Sequence, residues 1–600
     1  MSPSKVTSDL WWKGGLLYCL DIETFQDSDG DGCGDLAGLT DRMDYLAGMG
    51  VTCLWLMPFH PSPGRDDGYD VTDFYAVDPR LGTLGDFCEM VRTANDRGMR
   101  VIADLVVNHT SVDHPWFQSA RSARDLPYRD WYVWRDEKPA EKPGDVVFPD
   151  QENSNWTWDE TAGQWYLHRF YRHQADLNVA NPRVRDEIAQ IAGFWIQQGL
   201  AGFRVDAVPF LIEPVGLPEH AIEDPHELLG DLRAYIGRRR GDAILLGEVN
   251  LPPPDQRPFF GEGGRRELDM LFNFHVMQAM YLALARGEAE PLAAAFERLP
   301  QIPDECQWAT FVRNHDELTL DQLSDRERQE VFEAFAPDED MRLYGRGIRR
   351  RLPTMLQGDP ERVRMVYSLA LSLPGTPVLF YGEEIGMGDN PDIPDRMAVR
   401  APMQWTDGPS AGFSAAGPDD LCRPITALDG FGPEAVNAAA QRRDEGSLLN
   451  WFERLVRRRR ESHELGHGTF QHLPAGDPAV FAHRCEWEGR SLVAVHNLAG
   501  RDARAELALG DGDDLHDVFG DRDVPAPPGG RVVLDLEPYA RRWFAVGRGT
   551  SGMDVLPPRR PLDVETSTKA QLYERARALG IPGRSSMSRD ELARAVARAQ

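Results

Sequence analysis

The stretch "GFRVDAV" (202–208) is an apolar run that ends in charged side chains. Its aromatic and β-branched residues are typical of a buried strand. Residues two positions apart lie on the same face of a strand, so Arg204 and Asp206 are expected side by side. The stretch therefore predicts a strand that carries an ion pair at its carboxyl end.

Seven further runs of this kind lie between residues 16 and 385, with helix-like segments between them. Eight β-then-α units predict an α/β fold, a parallel (β/α)8 TIM barrel with helices outside. A doubly wound open sheet is the alternative, but no glycine-rich phosphate fingerprint follows any run. The seven runs are "LLYCLDIETF" (16–25), "VTCLWLMPF" (51–59), "RVIADLVVNHT" (100–110), "AILLGEV" (243–249), "LDMLFNF" (268–274), "WATFVRNHDE" (308–317) and "TPVLFYGEE" (376–384).

Two insertions interrupt this alternation. The first holds six of the fifteen tryptophans, which either stack on sugar rings or, as we favour for most of them, form a small core. The second, over 318–359, is charged and contains "GRGIRRRL", and a loop of that length is usually a lid or a binding element. The predicted domains are the barrel (10–108 and 176–460), an inserted subdomain B (109–175), a C-terminal β-sandwich (461–547), a linker (548–566) and a helix–extended–helix tail (567–600).

The composition is that of an ordinary globular protein of 600 residues with a formal net charge of −30. This charge argues against a main body that binds nucleic acid. The chain has no run of 18 apolar residues and no apolar signal segment, so neither a membrane partner nor secretion is expected. Seven scattered cysteines without paired spacing favour reduced thiols in a cytoplasmic protein.

The last 50 residues differ from the acidic remainder, because they hold nine basic and six acidic residues. Capping-box spacing at Thr568 with Gln571 and at Ser588 with Glu591 predicts two short helices. The tail resembles the Rho N-terminal and SAP types of small domain. That resemblance implies a module that binds nucleic acid, and a solvated appendage is the alternative.

The chemistry of a TIM barrel lies at the carboxyl ends of its strands. Three carboxylates there suit cleavage of a glycosidic bond, in which one attacks the anomeric carbon and a second acid protonates the leaving oxygen. Arg204 would keep Asp206 ionised as the nucleophile, which leaves Glu248 as the acid/base. Ordinary strand-end salt bridges are the alternative. The polar residues at the strand ends are His109, Asp206, Glu248, His315 and Asp316.

Five segments resemble the signature regions of glycoside hydrolase family 13, the α-amylase family, and the resemblance covers roughly 10–547. It implies a retaining reaction with Asp206 as nucleophile, Glu248 as acid/base and Asp316 as transition-state stabiliser. It also implies substrate-binding roles for Asp70, His109, Gln174, Arg204, His315 and Arg400. The five segments are "DLVVNH" (104–109), "HQADLN" (173–178), "GFRVDAV" (202–208), "LLGEVN" (245–250) and "FVRNHD" (311–316).

Three longer segments resemble the trehalose synthase subgroup of that family, which interconverts maltose and trehalose through a covalent glucosyl-enzyme. They are 154–178, 300–320 and 375–390, and the insertion with "GIRRRL" (347–352) resembles the subgroup too. By contrast, "YCLDIETF", "LLGEVN" and "LFNFHVM" depart from the subgroup and leave the overall reaction open. The alternatives are an α-glucosidase or trehalose-hydrolysing enzyme, another α-glucan transferase, and an inactive carbohydrate-binding protein, against which the intact catalytic set argues. The expected partners are small α-linked glucosides, and self-association into a homo-oligomer is left open.

The loop "DSDGDGCGD" (27–35) follows the first predicted strand and alternates acidic residues with small ones. An EF-hand would need a bidentate Glu where Gly38 stands, so a structural calcium site on a larger scaffold is favoured. The family resemblance implies calcium bound by Asp27, Asp29, Asp31, Asp35 and the Cys33 carbonyl. The subgroup resemblance implies a second structural calcium, held by Asn108, Asp176, Glu213 and the carbonyls of Phe210 and Leu211. No organic cofactor is expected.

Overall fold

The computed structural model of the chain describes residues 10–141, 146–213, 223–510, 513–520, 524, 529–548, 569, 572 and 587–599. The chain divides into two compact units, Met1–Gly547 and Arg548–Gln600. In the described part of the chain, no helix is both long enough and apolar enough to span a membrane.

The larger unit contains a closed barrel of eight parallel strands, which confirms the predicted fold. Each strand pairs with the next one along the chain, and the eighth pairs with the first. Every predicted run contributes one strand. The strands are β1 (Leu17–Leu20), β2 (Cys53–Leu56), β3 (Arg100–Leu105), β4 (Gly202–Val205), β5 (Ile244–Gly247), β6 (Met270–Phe272), β7 (Gln307–Phe311) and β8 (Thr376–Phe380).

Amphipathic helices connect the strands, and Pro182–Gln197 illustrates why they form. Asn181 caps its first turn by accepting the Arg183 N–H at 3.0 Å, and Pro182 fits the first turn because no N–H is needed there. Its buried residues recur at helical spacing, as Val184, Ile188 and Ile191 show. The α-helices of the larger unit are Leu36–Asp41, Met43–Met49, Leu84–Asp96, Pro115–Ser122, Pro182–Gln197, Val208–Ile212, Glu227–Arg239, Pro253–Gln256, Phe274–Arg286, Glu290–Arg298, Asp325–Phe335, Leu352–Met355, Pro360–Ser372, Ala438–Arg443, Leu448–Glu461 and Glu464–His467.

The first insertion leaves the barrel through a two-stranded neck. His109–Ser111 pairs antiparallel with Gln174–Asp176, and His109 lies opposite Asp176. Beyond the neck lies a three-stranded sheet of Trp134–Arg135, Gln164–Leu167 and Trp156–Asp159, in that order. The tryptophans pack mainly with one another and with nearby side chains, as the T-shaped contact of Trp116 with Trp131 shows. The favoured small core contains only Trp156 and Trp165, whereas Trp116, Trp131 and Trp134 pack in or against the main core and Trp158 is exposed.

The second insertion is also structured. Its helix Asp325–Phe335 begins with a capping box in which Ser324 and Glu327 bond to each other's backbone. Three short strands, Leu318–Thr319, Gly347–Ile348 and Arg342–Leu343, form an antiparallel sheet beside it. The insertion is therefore built from regular elements and begins shortly after the end of β7.

The C-terminal strands form a five-stranded antiparallel sheet and a two-stranded sheet, whose apolar faces share one core. This arrangement is the predicted sandwich. In the smaller unit, Arg589–Ala599 is a helix with the expected capping box between Ser588 and Glu591. The predicted capping pair Thr568–Gln571 and residues 549–566 of the predicted linker (548–566) lie outside the described residues. The sandwich strands are Thr469–Leu473, Val480–Trp487, Arg490–Asn497, Ala503–Ala508, Asp513–Asp517, Arg531–Leu536 and Arg541–Arg548.

Candidate active site

Arg204 organises the carboxylates at the ends of β3, β4 and β5. Its Nη1 lies 2.5 Å from Asp104 and 2.5 Å from Asp206, and its Nη2 lies 2.9 Å from Glu248. The side chain of Arg204 is only 1% exposed, so its charge must be compensated by such partners. The parallel register places Arg204 opposite Asp104 on β3, which explains that contact.

A sharp turn of the chain sets Asp206 at the mouth of the barrel. The next residue, Ala207, has φ of +48°, a left-handed conformation that ends the strand. Its N–H donates to Glu248 Oε2 at 3.1 Å, so the same turn also fixes the second carboxylate. The two residues expected to act on the glycosidic bond are thus held together by a guanidinium and a backbone amide.

Asp316 is held by two arginines and a histidine. Arg396 Nη1 and Arg400 Nη2 each lie 2.9 Å from its Oδ1, and His315 Nε2 lies 3.1 Å from its Oδ2. His315 also contacts the Tyr69 hydroxyl at 2.7 Å. Asp316 is therefore poised as a fixed negative charge, which is the property required for stabilising a positively charged sugar transition state.

Burial and neighbouring charges set different pKa values for the three carboxyl groups. Burial raises the pKa of Asp206 to about 6, although Arg204 opposes the rise. Burial and the charge of Asp206 raise the pKa of Glu248 to about 7, again against Arg204. Burial also disfavours the charge on Asp316, but His315 and Arg396 hold its pKa well below its usual range. The order suits a carboxylate nucleophile, a protonated acid and a permanent anion.

A cavity of about 660 Å³ opens above these groups. Asp206, Glu248 and Asp316 line its floor. Phe148 and Val147 of the first insertion, and Arg346 of the second, contribute to its walls. The space has the size of a small-molecule site with apolar walls and a few convergent charges. Its further aromatic lining residues are Tyr69, Phe170, Phe210, Phe259 and Phe274.

The structure places the predicted substrate-binding residues at different distances from this cavity. His109 lines it directly, while Arg204 and His315 lie beneath it and contact the lining carboxylates. Arg400 is fully buried and forms an ion pair with Asp316 beneath the cavity. Gln174 is buried beside the cavity, where its Nε2 donates to Asp66 at 2.8 Å.

Asp70 differs from its prediction, because it does not line the cavity. It is fully buried and accepts the Ser62 hydroxyl at 2.6 Å. Asp66, four residues earlier, faces the cavity instead and pairs with Arg396. A turn explains the exchange: Asp67 has φ of +54°, and the Tyr69 N–H donates to the Asp66 carbonyl at 3.0 Å. The Asp66 side chain, not that of Asp70, is thereby directed at the substrate space.

Sequence reasoning also missed four further functional candidates. Arg396 pairs with Asp66 and Asp316, and it lies four residues before Arg400. Phe148 and Phe170 form part of the apolar wall, and Arg346 reaches the cavity from the second insertion. The strand alternation carried no signal for these residues, because three lie on loops and Arg396 lies in the short 3-10 helix Asp395–Val399.

The predicted calcium loop keeps its acidic side chains close together. Carboxylate oxygens of Asp27, Asp29 and Asp35 lie within 4.8 Å of one another, which fits an oxygen cage for a hard cation. The Asp31 carboxylate lies outside this cluster and accepts the Cys33 N–H at 2.8 Å. The donor set thus fits a calcium ion with three carboxylates rather than four.

The second predicted set is less suited to a cation. Asn108 donates to Asp176 at 3.4 Å, so those two ligands are close. Glu213, however, forms an ion pair with Arg169 at 2.8 Å, and the Arg169 N–H donates to Asp176 at 3.0 Å. A calcium ion there would have to compete with the guanidinium for Glu213.

Comparisons with known proteins agree with this geometry. The family model of the alpha amylase catalytic domain matches residues 22–334 and 349–468, and the sucrose hydrolase-like C-terminal domain matches 489–545. A trehalose synthase from a Pimelobacter species is 40% identical over 560 residues, covering 91% of this chain and 98% of its own. A trehalose synthase/amylase from Mycolicibacterium smegmatis is 42% identical over 514 residues, covering 84% and 86%.

A solved structure shows the same likeness in three dimensions. The trehalulose synthase of Pseudomonas mesoacidophila MX-45 has 26% sequence identity and a TM-score of 0.70, covering 90% of this chain and 99% of its own. With its closed parallel barrel, three carboxylates at the strand ends and a family model that covers most of its length, the chain belongs to glycoside hydrolase family 13, the α-amylase family.

Proposed function

We propose that the protein interconverts maltose and trehalose by cleaving and remaking one α-glucosyl bond inside its cavity. Asp206 attacks the anomeric carbon of the non-reducing glucose, while Glu248 gives its proton to the departing glycosidic oxygen. This step forms a covalent glucosyl-enzyme and frees one glucose. The 1-hydroxyl of that glucose then attacks the same carbon, Glu248 takes back the proton, and Asp206 leaves.

One observation carries the choice of a transferase over a hydrolase: the two insertions contact each other above the carboxylates. Arg346 Nη2 donates to the Val147 carbonyl at 2.7 Å, and the Tyr344 N–H donates to Asp150 at 3.1 Å. Phe148 packs against Tyr344 with ring centroids 5.1 Å apart. We call these contacts between the two insertions the roof of the cavity. The roof holds the freed glucose and excludes water, so the glucosyl-enzyme reacts with the sugar and not with water.

Hydrolysis of maltose or trehalose is the second candidate function, because a glycosidase uses the same carboxylates. The openness of the roof in solution decides between the two reactions. Incubating the protein with maltose and separating the products tests the proposal, and trehalose should exceed glucose. Added isotope-labelled glucose should stay out of the trehalose, since the acceptor never leaves the cavity. Glucose without any trehalose would make the protein a hydrolase.

We also propose that calcium binds to the Asp27–Asp35 loop and has a structural role. Support comes from the three clustered carboxylates and from the position of the loop, which packs on the 413–422 segment through the Asp27 N–H and the Gly32 carbonyl. A hard cation there would tie two loops together without touching Asp206 or Glu248.

A further inference from the structure

Two cysteines from distant parts of the sequence meet beside the Asp27–Asp35 loop. The Cys422 N–H donates to the Gly32 carbonyl at 2.9 Å, which brings the backbone at 422 against the backbone at 32–33. The sulfur atoms of Cys33 and Cys422 and a carboxylate oxygen of Glu23 all lie within 4.8 Å of one another. The two thiols are therefore neighbours, although about 390 residues separate them in the sequence.

A reagent meets the two thiols one after the other, although the hydrogen bond to Cys422, burial and the Glu23 carboxylate raise the pKa of the Cys33 thiol. Cys422 is exposed and Cys33 is half-buried, so a small reagent reaches one sulfur first and its neighbour stands directly behind it. The hydrogen bonds that orient the sulfurs are weak: Cys33 Sγ lies 3.5 Å from Glu23 Oε1, and Cys422 Sγ lies 3.4 Å from the Glu23 carbonyl. Rotation of two short side chains can thus bring the sulfurs to bonding distance.

We propose that Cys33 and Cys422 are a modification site that forms a reversible disulfide with an external small-molecule disulfide as oxidant. The Cys422 thiolate attacks one sulfur of the oxidant, forms a mixed disulfide and releases one thiolate of the oxidant. The Cys33 thiolate then attacks the Cys422 sulfur and displaces the second thiolate. The protein loses two protons and two electrons, and the oxidant is reduced to two thiols.

The bond would fasten the Asp27–Asp35 loop to the segment that leads into Arg423. The Arg423 guanidinium binds Asp67, and Asp67 also binds Arg400, which holds Asp316. A tether at residue 422 therefore stiffens the support beneath the active site without adding a group to the cavity. Because it closes a very long loop, it should stabilise the fold against heat.

Treatment of the full chain with oxidised glutathione tests the site. Two free thiols per chain should disappear, the mass should fall by two hydrogen atoms, and a non-reducing peptide map should show Cys33 joined to Cys422. The melting temperature should rise by about 3 °C or more, and dithiothreitol should restore both thiols and the original value. The C422S variant should show none of these changes, whereas C88S, which removes another half-buried thiol, should respond like the parent.

Three outcomes would overturn the proposal. One is a stable glutathione adduct on Cys422, which would mean that Cys33 cannot reach it. Another is a disulfide that links two chains, seen as a dimer on a non-reducing gel. The third is loss of the same two thiols in C422S.

Discussion

At the scale of single residues, the guanidinium of Arg204 positions the carboxylates of the site relative to one another. Arg204 binds the carboxylates of three consecutive barrel strands, so each strand end is positioned relative to the others through a single group. Removing any one carboxylate leaves Arg204 with two partners. Variants of the proposed catalytic residues should therefore fold, which makes their kinetics interpretable.

The first prediction concerns Asp206. Asp206→Ala should lower the rate on maltose by several orders of magnitude, because no other carboxylate can form the glucosyl-enzyme. The melting temperature should stay close to that of the parent, since Asp104 and Glu248 still compensate Arg204. As a control, Asp44→Ala removes an exposed aspartate whose side chain is 84% accessible and should leave the rate unchanged. More than a tenth of the parent activity in Asp206→Ala would remove Asp206 from the nucleophile role.

A second prediction follows from the pKa values of about 6 for Asp206 and about 7 for Glu248. Asp206 must be ionised and Glu248 protonated, so kcat/KM should fall below about pH 6 and above about pH 7. The resulting profile is a narrow bell. In Glu248→Gln, residual activity should lose the alkaline limb and keep the acid limb. If the alkaline limb survives this change, a group other than Glu248 causes the loss of activity at high pH.

Single residues also show where sequence reasoning ends. The pairing of Arg204 with Asp206 followed from strand alternation and is present in the structure. The choice between Asp66 and Asp70 depends on a turn with a left-handed residue at its centre, and three aspartates lie within five positions there. Composition cannot say which of them the turn directs inward.

At the scale of elements, every predicted strand is present but shorter than its apolar run. The run over 308–317 contains β7 only as far as Phe311, and the residues beyond it leave the sheet to form the site. The residues just beyond this boundary, 312–315, are mostly polar and yet buried as well, so burial does not mark the end of the strand. Periodicity therefore located the strands, whereas their ends depend on hydrogen bonds that it does not encode.

The basic run Arg349–Arg351 holds the second insertion in place through bonds that do not involve subdomain B. Arg349 donates to the Pro391 carbonyl, Arg350 lies near Asp389, and Arg351 donates to the Val399 and Tyr381 carbonyls. These arginines anchor the insertion to the loop that carries Arg396. Arg346 and Tyr344 are instead the residues of the insertion that contact subdomain B.

A third prediction uses that contact. Arg346→Ala removes the hydrogen bond to Val147 and should shift the products of maltose from trehalose toward glucose, because water enters through the loosened roof. Cleavage itself should continue, since Asp206 and Glu248 are untouched. Arg326→Ala, in the same insertion but 90% exposed, is the matched control. An unchanged trehalose-to-glucose ratio in Arg346→Ala would show that this contact does not retain the sugar.

The Asp27–Asp35 loop gives the fourth prediction. Asp27→Ala with Asp29→Ala should lower the melting temperature and abolish its dependence on calcium, because two of the three clustered carboxylates are lost. A chelator should lower the melting temperature of the parent without changing its product ratio. Asp419→Ala, an exposed aspartate in the adjoining segment, should retain the calcium response. Equal melting of parent and double variant at every calcium concentration would exclude the metal.

At the scale of the whole molecule, the active cavity is assembled from segments that are far apart in the sequence. The barrel supplies the carboxylates, and the two insertions, which leave after β3 and β7, supply the roof. The barrel was predictable because eight units repeat one pattern. The meeting of the insertions was not, because it depends on contacts such as Arg346 with a backbone carbonyl, and such contacts have no sequence period.

The antiparallel neck of subdomain B fixes the site residues next to it, whatever the length of the insertion beyond it. His109 and Gln174 lie on its two strands, and the Val112 N–H donates to the His173 carbonyl at 2.9 Å, which extends the pairing outward. The segment between residues 112 and 173 can therefore be lengthened, shortened or exchanged while 109–111 and 174–176 keep their pairing register. The neck is thus a suitable place to exchange the subdomain. A chimera in which the segment between residues 112 and 173 comes from a related enzyme should keep the glucose-binding floor of this barrel. It should take its acceptor preference from the enzyme that supplied the segment.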